Sequence, residues 1–188
     1  MRTAWKLSLA LVASVALVGC TPDEQDSPEQ ARSTATAGSE QQAEQGGTES
    51  AQPCTAEDIE VSGEAGQEPD ITLPEDCAPP TELISEELTP GSGPGVQEGD
   101  NVTVNYKLVA WSDQQEKDNS WDRGEPFTVE GVGSGQVIPG WDQGLIGIRQ
   151  GERKLLAIPP ELGYGPQGQG EIGPDETLVF VVDVVRVG

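Results

Sequence analysis

The chain has 188 residues, of which 33 are acidic, 10 are basic and none is histidine, so its formal net charge is −23. A chain this acidic repels phosphate backbones, which argues against nucleic-acid binding. Without imidazole, Ser-His-Asp and Cys-His mechanisms are excluded, and so is metal ligation by histidine.

Residues 1–20 have the pattern of a signal peptide. Arg2 and Lys6 precede an apolar run, Leu7 to Val18, that is too short to span a bilayer comfortably. The run ends in Leu-Val-Gly-Cys at residues 17–20, which resembles the lipobox of bacterial lipoproteins. That resemblance implies cleavage before Cys20 and lipid on its thiol, so the chain would be anchored to the outer side of the cell membrane. The alternatives are an ordinary cleaved signal and a retained anchor.

Residues 21–53 are predicted to be a disordered acidic tether. They contain no aromatic residue and no Val, Leu or Ile, so they cannot bury enough apolar surface to offset the entropy lost on ordering. Most of their charges are acidic, and self-repulsion should extend the segment.

Residues 54–80 are predicted to be a hairpin extension closed by a disulfide. Apolar residues alternate with charged ones at Ile59 and Val61 and again at Ile71 and Leu73, which indicates two short strands. Once Cys20 carries lipid, Cys54 and Cys77 are the remaining thiols, and in an exported chain such a pair indicates a disulfide. The alternative is a redox pair, but the gap between these cysteines is unlike the Cys-x-x-Cys arrangement.

Residues 81–188 are predicted to form the main domain. Period-2 alternation indicates strands at 82–89, 102–109, 126–129 and 177–187. The last has apolar residues on both faces, as expected of a central strand. The polar stretch 111–119 is interpreted as a connection.

The stretch 136–165 carries the single predicted helix. Trp141, Leu145 and Ile148 fall at helical spacings of four and three, which places them on one apolar face. A strand at 154–158 and a Pro-Pro loop ending in Gly-Tyr-Gly follow. The predicted fold class is α+β, with an antiparallel sheet of about five strands wrapped on one short helix and an N-terminal hairpin extension.

Three segments then occur in order: VIPGWDQGL from Val137, GERKLLAIPPELGYG from Gly151 and TLVFVVDVVRV from Thr177. Together they resemble the FK506-binding-protein (FKBP) type of peptidyl-prolyl cis-trans isomerase, here in the context of an actinobacterial-like lipoprotein. The resemblance covers about residues 99–188. It implies the FKBP fold and a pocket that binds the prolyl ring, and also FK506 and rapamycin. No cofactor or metal is implied.

The resemblance also implies roles for individual residues. Asp118 matches the acidic residue at the polar edge of the pocket, with Arg123 as its ion-pair partner. The backbone N–H of Ile138 would donate to a substrate carbonyl, and Tyr164 would be a hydroxyl donor. The remaining residues implied to bind substrate are Tyr106, Phe127, Val137, Trp141, Ile172 and Phe180. Each of these would also be an ordinary core residue if considered alone.

Two departures from the family pattern bear on activity. Lys117 stands where the family usually has Phe, so one wall would lose an aromatic ring unless Trp121 replaces it. The flap carries Gln169, Gly170 and Glu171 where many members have His or bulky apolar residues. Both changes would weaken catalysis and inhibitor binding.

Prolyl isomerisation suits a chain with no evident nucleophile–base pair, metal cluster or phosphate loop. The sequence predicts a lipid-anchored isomerase that assists folding of X-Pro segments in exported proteins. The alternative is a non-catalytic peptide-binding chaperone of the same fold, which Lys117 favours. A monomer is expected because no spare apolar stripe is apparent.

Overall fold

The computed structural model describes residues 51–188. The predicted signal peptide, the lipidation site Cys20 and all but the last residues of the predicted tether lie outside this range. Among the described residues, none of the helices has both the length and the apolar character needed to cross a bilayer.

Residues 54–80, here called the N-terminal module, form the predicted hairpin. Strands β1 (Glu60–Ser62) and β2 (Asp70–Thr72) pair antiparallel, after a 3₁₀ turn at Ala56–Asp58. A disulfide joins Cys54 to Cys77, whose Cα atoms lie 5.3 Å apart. The alternating apolar residues predicted the hairpin, and the pair of cysteines predicted the closure of its ends.

The main domain is built on a six-stranded sheet whose pairs are all antiparallel, which confirms the α+β class. The strand order is β3-β7-β8-β4-β5, and β6 pairs with a different part of β4. The strands are β3 (Ile84–Thr89), β4 (Val102–Ala110), β5 (Glu116–Asn119), β6 (Phe127–Val129), β7 (Arg153–Ile158) and β8 (Leu178–Val187).

The strand β5 corrects the expectation that residues 111–119 are only a connection, and with it the predicted sheet of about five strands has six. Its side chains are polar or charged, so no apolar alternation indicated it. The strand exists because its backbone pairs with the edge of β4, where Leu108 faces Asp118 and the register shifts before Val109.

The two faces of the sheet bury two separate apolar clusters, and β8 contributes to both. Phe180, Val182 and Val184 face the larger cluster beside the helix. Val179 and Val181 face the other side of the sheet, where Ile59 and Leu73 of the N-terminal module cover them. The strand β8 is therefore buried on both faces, as its apolar residues on both faces predicted.

A buried ion pair ties the N-terminal module to the sheet. Arg153 Nε lies 2.6 Å from Asp183 Oδ1, and these side chains are only 2% and 6% exposed. The guanidinium also donates to the carbonyl oxygens of Gly63 at 3.0 Å and Gln67 at 2.5 Å. Gly66 N–H donates to Asp183 at 2.5 Å. The charges are tolerated because both are paired and further hydrogen-bonded.

The main domain has two short α-helices, α1 (Ser120–Arg123) and α2 (Pro139–Gly144), within the part of the chain that the structure describes. The helix α2 is shorter than predicted, since Leu145 is its C-cap and Ile148 lies beyond it. Both residues are nevertheless fully buried, so the apolar spacing identified core residues although not the helix end.

Two glycines let α2 approach β7 closely. A Cβ on Gly140 would lie 2.7 Å from Ile158 Cδ1, and one on Gly144 would lie 2.6 Å from Leu156 Cδ2. Because the two glycines have no side chains, the helix packs directly against the strand. Trp141, which lies between the glycines in the sequence, is therefore buried in the core, with 4% of its surface exposed.

Candidate active site

A cavity of about 450 Å³ opens beside α2 and the inner face of β4. Its volume lies in the range of small-molecule sites. Its lining residues are Tyr106, Leu108, Asp118, Phe127, Gln136, Val137, Ile138, Trp141, Tyr164, Gln169 and Phe180.

The structure brings together the residues that the sequence proposed for the site, with one exception. Ile172 does not line the cavity; its partly buried side chain packs against the core. Its backbone forms an isolated bridge with Gln169, which does line the cavity. The functional roles of these residues stay predictions.

Three lining residues were not proposed from the sequence: Leu108, Gln136 and Gln169. Leu108 could have been found, because it alternates with Tyr106 and therefore shares its face of β4. Gln169 was assigned to the flap from the resemblance but not proposed to bind substrate, and nothing in the sequence distinguished Gln136 from an ordinary loop residue.

Aromatic rings form the walls and floor of the cavity. Trp141 is their centre, with its ring centroid 5.2 Å from Tyr106 and 5.3 Å from Phe180. Phe127 lies 6.0 Å from Trp141 in an edge-to-face arrangement. Such pairs add stability beyond the area they bury. The wall is therefore a packed set of rings, in which Phe127 remains partly exposed at the mouth.

A hydrogen-bonded triad of Tyr106, Asp118 and Arg123 forms the polar edge of the cavity. Asp118 accepts from the Tyr106 hydroxyl and from Arg123. Arg123 Nη2 also lies 3.0 Å from the Tyr106 oxygen. Burial, and then the hydrogen bond to Asp118, raise the pKa of Tyr106 to about 12, so its hydroxyl stays protonated at physiological pH. Arg123 is thus the ion-pair partner that the sequence predicted.

The short helix α1 holds this triad in place. Asn119 is its N-cap, with the side-chain oxygen accepting from Trp121 N–H at 3.0 Å, as asparagine commonly does. The N–H of Asn119 donates to Asp118 at 2.8 Å. Ser120 Oγ accepts from the backbone N–H of Tyr106 at 2.9 Å. Asn119 and Ser120 thereby fix the positions of Asp118 and Tyr106.

The loop before α2 presents Val137 and Ile138 to the cavity. Asp142, on α2, accepts from the backbone N–H groups of Gly133 and Gly135 at 2.8 Å each. The carbonyl of Ile138 accepts from Trp141 and Asp142, whereas its N–H has no backbone acceptor in the described part of the chain. That N–H is available to a ligand carbonyl.

Tyr164 contributes a second donor at the opposite rim. Its hydroxyl makes no hydrogen bond to any residue between 51 and 188, and its pKa is raised by burial and then by the charge of Asp118. The flap beyond it is held by reciprocal hydrogen bonds between Gln169 and Ile172, each 2.9 Å long.

Lys117 and Trp121, which the sequence suggested as alternative wall residues, do not line the cavity. The ammonium of Lys117 lies 2.5 Å from Asp113 Oδ2. The prediction of a cation in the wall is therefore wrong, because Lys117, on β5, pairs with Asp113 in the turn before that strand. The place is not filled by Trp121 either.

Comparisons with known proteins agree with this geometry. The family model described as FKBP-type peptidyl-prolyl cis-trans isomerase matches residues 93–185. An "FK506-binding protein" of Streptomyces anulatus is 44% identical over 123 residues, covering 64% of this chain and 98% of that protein. A "Probable FK506-binding protein" of Corynebacterium glutamicum is 37% identical over 121 residues, covering 63% and 98%.

Among solved structures, FkpA from Escherichia coli superimposes with a TM-score of 0.52 at 43% identity. The match covers 57% of this chain, and the chain spans about half of FkpA, 48% of its length. The N-terminal module lies entirely outside the residues matched by the family model, which begin at 93.

Proposed function

Because the chain belongs to the family of FKBP-type peptidyl-prolyl cis-trans isomerases, we propose that it catalyses the cis–trans isomerisation of X-Pro peptide bonds in this cavity. The observation that carries the proposal is the ring cluster of Trp141, Tyr106, Phe127 and Phe180. At its rim lie two donors, the Ile138 N–H and the Tyr164 hydroxyl, that have no hydrogen-bond partner within residues 51–188.

The physical chemistry of the reaction fits such a cavity. Rotation about the peptide bond has a barrier of roughly 18–20 kcal/mol, because amide resonance is lost. A twisted amide has less charge separation than a planar one and so loses less on leaving water. An apolar aromatic cavity therefore favours the transition state over the ground state, which is the condition for catalysis.

The donors at the rim would orient the substrate. The Ile138 N–H would donate to a substrate carbonyl beside the prolyl ring, and the Tyr164 hydroxyl would donate to a second acceptor. Asp118 would act at the polar edge, where Arg123 compensates its charge. The prolyl ring would lie on Trp141, whose side chain is buried beneath the cavity.

The same site would bind FK506 and rapamycin, since relatives are named for FK506 binding. The substrates would be X-Pro segments of exported polypeptides, whose slow isomerisation limits folding. The chain would act as a monomer and without a cofactor.

We further propose that the chain acts outside the cytoplasm, anchored to the cell membrane by lipid on Cys20. The signal-like run before Cys20 supports this, and so does the Cys54–Cys77 disulfide, because such bonds persist in oxidising compartments. Palmitate labelling of the full chain should disappear on Cys20→Ala. Labelling that survives the substitution would overturn the anchor.

The alternative of a non-catalytic peptide-binding module depended on Lys117 as a cation in the wall. Since Lys117 pairs with Asp113 and does not line the cavity, no observation on the described residues favours that alternative.

The test is isomerase activity of the full chain on a panel of X-Pro peptides, with a matched pair of variants. Phe127 and Leu88 are exposed to nearly the same extent, 40% and 38%, but of these two only Phe127 lines the cavity. We expect a clear catalysed rate that falls on the order of tenfold in Phe127→Ala and is unchanged in Leu88→Ala. Absence of a catalysed rate, or equal loss in both variants, would overturn the proposed function or its site.

A further inference from the structure

Outside the cavity, the N-terminal module places one acidic side chain against the back of the cavity's polar edge. Glu68 Oε1 accepts from Asn119 Nδ2 and from Lys107 Nζ, each at 2.8 Å. Glu68 and Asn119 are 51 positions apart in the chain, so the contact is purely tertiary. We propose that Glu68 is a positioning residue for the proposed isomerase site, acting through Asn119.

Asn119 connects the module to the cavity, because its side-chain amide nitrogen bonds to Glu68 while its other polar groups bond at the cavity's edge. Its side-chain oxygen caps α1 at Trp121, and its backbone N–H donates to Asp118. The helix α1 in turn carries Arg123, which completes the triad with Asp118 and Tyr106. A rotation of the Asn119 side chain would therefore break the cap of α1, and a shift of α1 would displace Arg123 from Asp118 and Tyr106.

Glu68 is the group that fixes the orientation of Asn119. Asn119 is only 4% exposed, and its Nδ2 has no other hydrogen-bond partner within residues 51–188. A buried donor that loses its acceptor pays the full cost of desolvation, or it rotates to find another. Either result would disturb the cap, because the oxygen and nitrogen of one amide group move as a unit.

The carboxylate is well suited to this role although it is itself partly exposed. The hydrogen bond from Lys107, and then that from Asn119, lower the pKa of Glu68, so the group is ionised at neutral pH. Lys107 also pairs with Glu116 of β5 at 3.0 Å. Glu68 thus joins a network spanning the module, β4 and β5, and hydrogen bonds in such networks reinforce one another.

The position of Glu68 is itself fixed by the module. The neighbouring backbone at Gln67 accepts from the buried Arg153, and Gly66 donates to Asp183. The loop between β1 and β2 is therefore held at the sheet immediately before Glu68. This gives the N-terminal module a function in the site, in addition to covering the apolar face of the sheet.

The inference rests on the proposed function and is tested on the full chain with three variants. Glu68→Ala removes the acceptor, whereas Glu68→Gln keeps an amide oxygen that Asn119 can use. Glu64→Ala is the matched control, because Glu64 is an exposed acid of the same loop that makes no side-chain hydrogen bond or ion pair to a described residue.

We expect Glu68→Ala to lower kcat/KM for an X-Pro peptide on the order of tenfold, Glu68→Gln to regain most of it, and Glu64→Ala to match wild type. Amide hydrogen exchange separates positioning from general loss of structure. Protection should fall at Trp121 and Gly124, whose N–H groups bond within α1 and its cap, and stay unchanged at Val182 in β8.

Equal kcat/KM in wild type and Glu68→Ala overturns the inference, and so does a parallel loss of protection at Val182. If the wild type shows no isomerase rate, the proposed function fails by itself. In that case the affinity for the same peptide, measured by calorimetry beside the exchange data, takes the place of kcat/KM in deciding the role of Glu68.

Discussion

The ammonium of Lys117 lies 2.5 Å from the carboxylate of Asp113, four residues earlier, and neither residue lines the cavity. A lysine in the position where the family usually carries an aromatic ring is thereby kept out of the wall. Its effect on catalysis should be small, because its charge is paired with Asp113 outside the cavity.

We therefore predict that Lys117→Ala changes kcat/KM for X-Pro peptides by less than about twofold. Lys117→Phe, which restores the residue common in the family, should likewise have little effect unless the new ring enters the cavity. A tenfold rise in Lys117→Phe, measured beside wild type, would mean that the wall is incomplete and that Lys117 limits the enzyme.

Asp118 should matter for activity more than for stability. Its substitution by Asn weakens the triad with Tyr106 and Arg123, but both partners of the ion pair are substantially exposed, so unfolding should change by less than about 1 kcal/mol. We expect kcat/KM to fall on the order of tenfold. Asp122→Asn is the control, since Asp122 is an exposed acid in α1, the helix that follows Asp118 in the chain. Equal effects of the two substitutions would remove Asp118 from the site.

Both tyrosines should lose their protons at a higher pH than a free tyrosine does. Because the chain has two tyrosines, the rise in ultraviolet absorbance on tyrosine ionisation reports on Tyr106 and Tyr164. The pKa of Tyr106 is raised to about 12, and that of Tyr164 is raised as well. Because an unfolded tyrosine ionises near 10, the native state holds the proton that the unfolded state loses. The stabilising contribution of Tyr106 is therefore complete below pH 10 and declines between pH 10 and about 12.

Absorbance titration of wild type and Tyr106→Phe checks this assignment. The step near pH 12 should be absent from Tyr106→Phe, while the Tyr164 step remains. A wild-type chain in which both hydroxyls ionise near pH 10, while circular dichroism shows that it is still folded, would contradict the buried triad.

Gly140 should not tolerate a side chain. A Cβ there would lie 2.7 Å from Ile158 Cδ1 and 2.9 Å from its Cγ1, in a fully buried contact. We predict that Gly140→Ala destabilises the domain by about 1–3 kcal/mol and lowers activity by shifting Trp141. Gly173→Ala is the control, because a Cβ there has no neighbour within 4 Å. The free energies of unfolding of the two variants are measured in urea. Equal free energies of unfolding for Gly140→Ala and Gly173→Ala would show that the contact at Gly140 accommodates a methyl group.

Removal of the disulfide should weaken the N-terminal module. The bond closes a loop with a sequence separation of 23, for which the chain-entropy treatment gives about 3 kcal/mol. We expect Cys54→Ala with Cys77→Ala to lower the free energy of unfolding by about that amount, and reduction of wild type to reproduce the loss. If the double variant and the reduced wild type unfold at the same denaturant midpoint as the oxidised wild type, the disulfide does not stabilise the module.

The sequence predicted most of the parts that have local signals. The alternating strand at Leu178–Val187 and the ordered Trp141 and Tyr164 motifs identified the central strand and nearly all of the cavity. The strand β5 was missed because Glu116 to Asn119 has no apolar alternation, and its pairing depends on the edge that β4 offers. The contact of Glu68 with Asn119 could not be predicted, because the two polar residues lie far apart in the chain and belong to no repeating pattern in the sequence that would pair them.

The most direct test of the central claim is cis–trans exchange of an X-Pro peptide, followed by NMR at equilibrium with a catalytic amount of the full chain. This measurement reports catalysis and binding in one sample. The account predicts exchange far faster than the uncatalysed tens of seconds, together with peptide-induced shifts of Trp141 and Tyr164. Peptide-induced shifts of these residues without any acceleration of exchange would contradict it and would leave a peptide-binding module of the same fold.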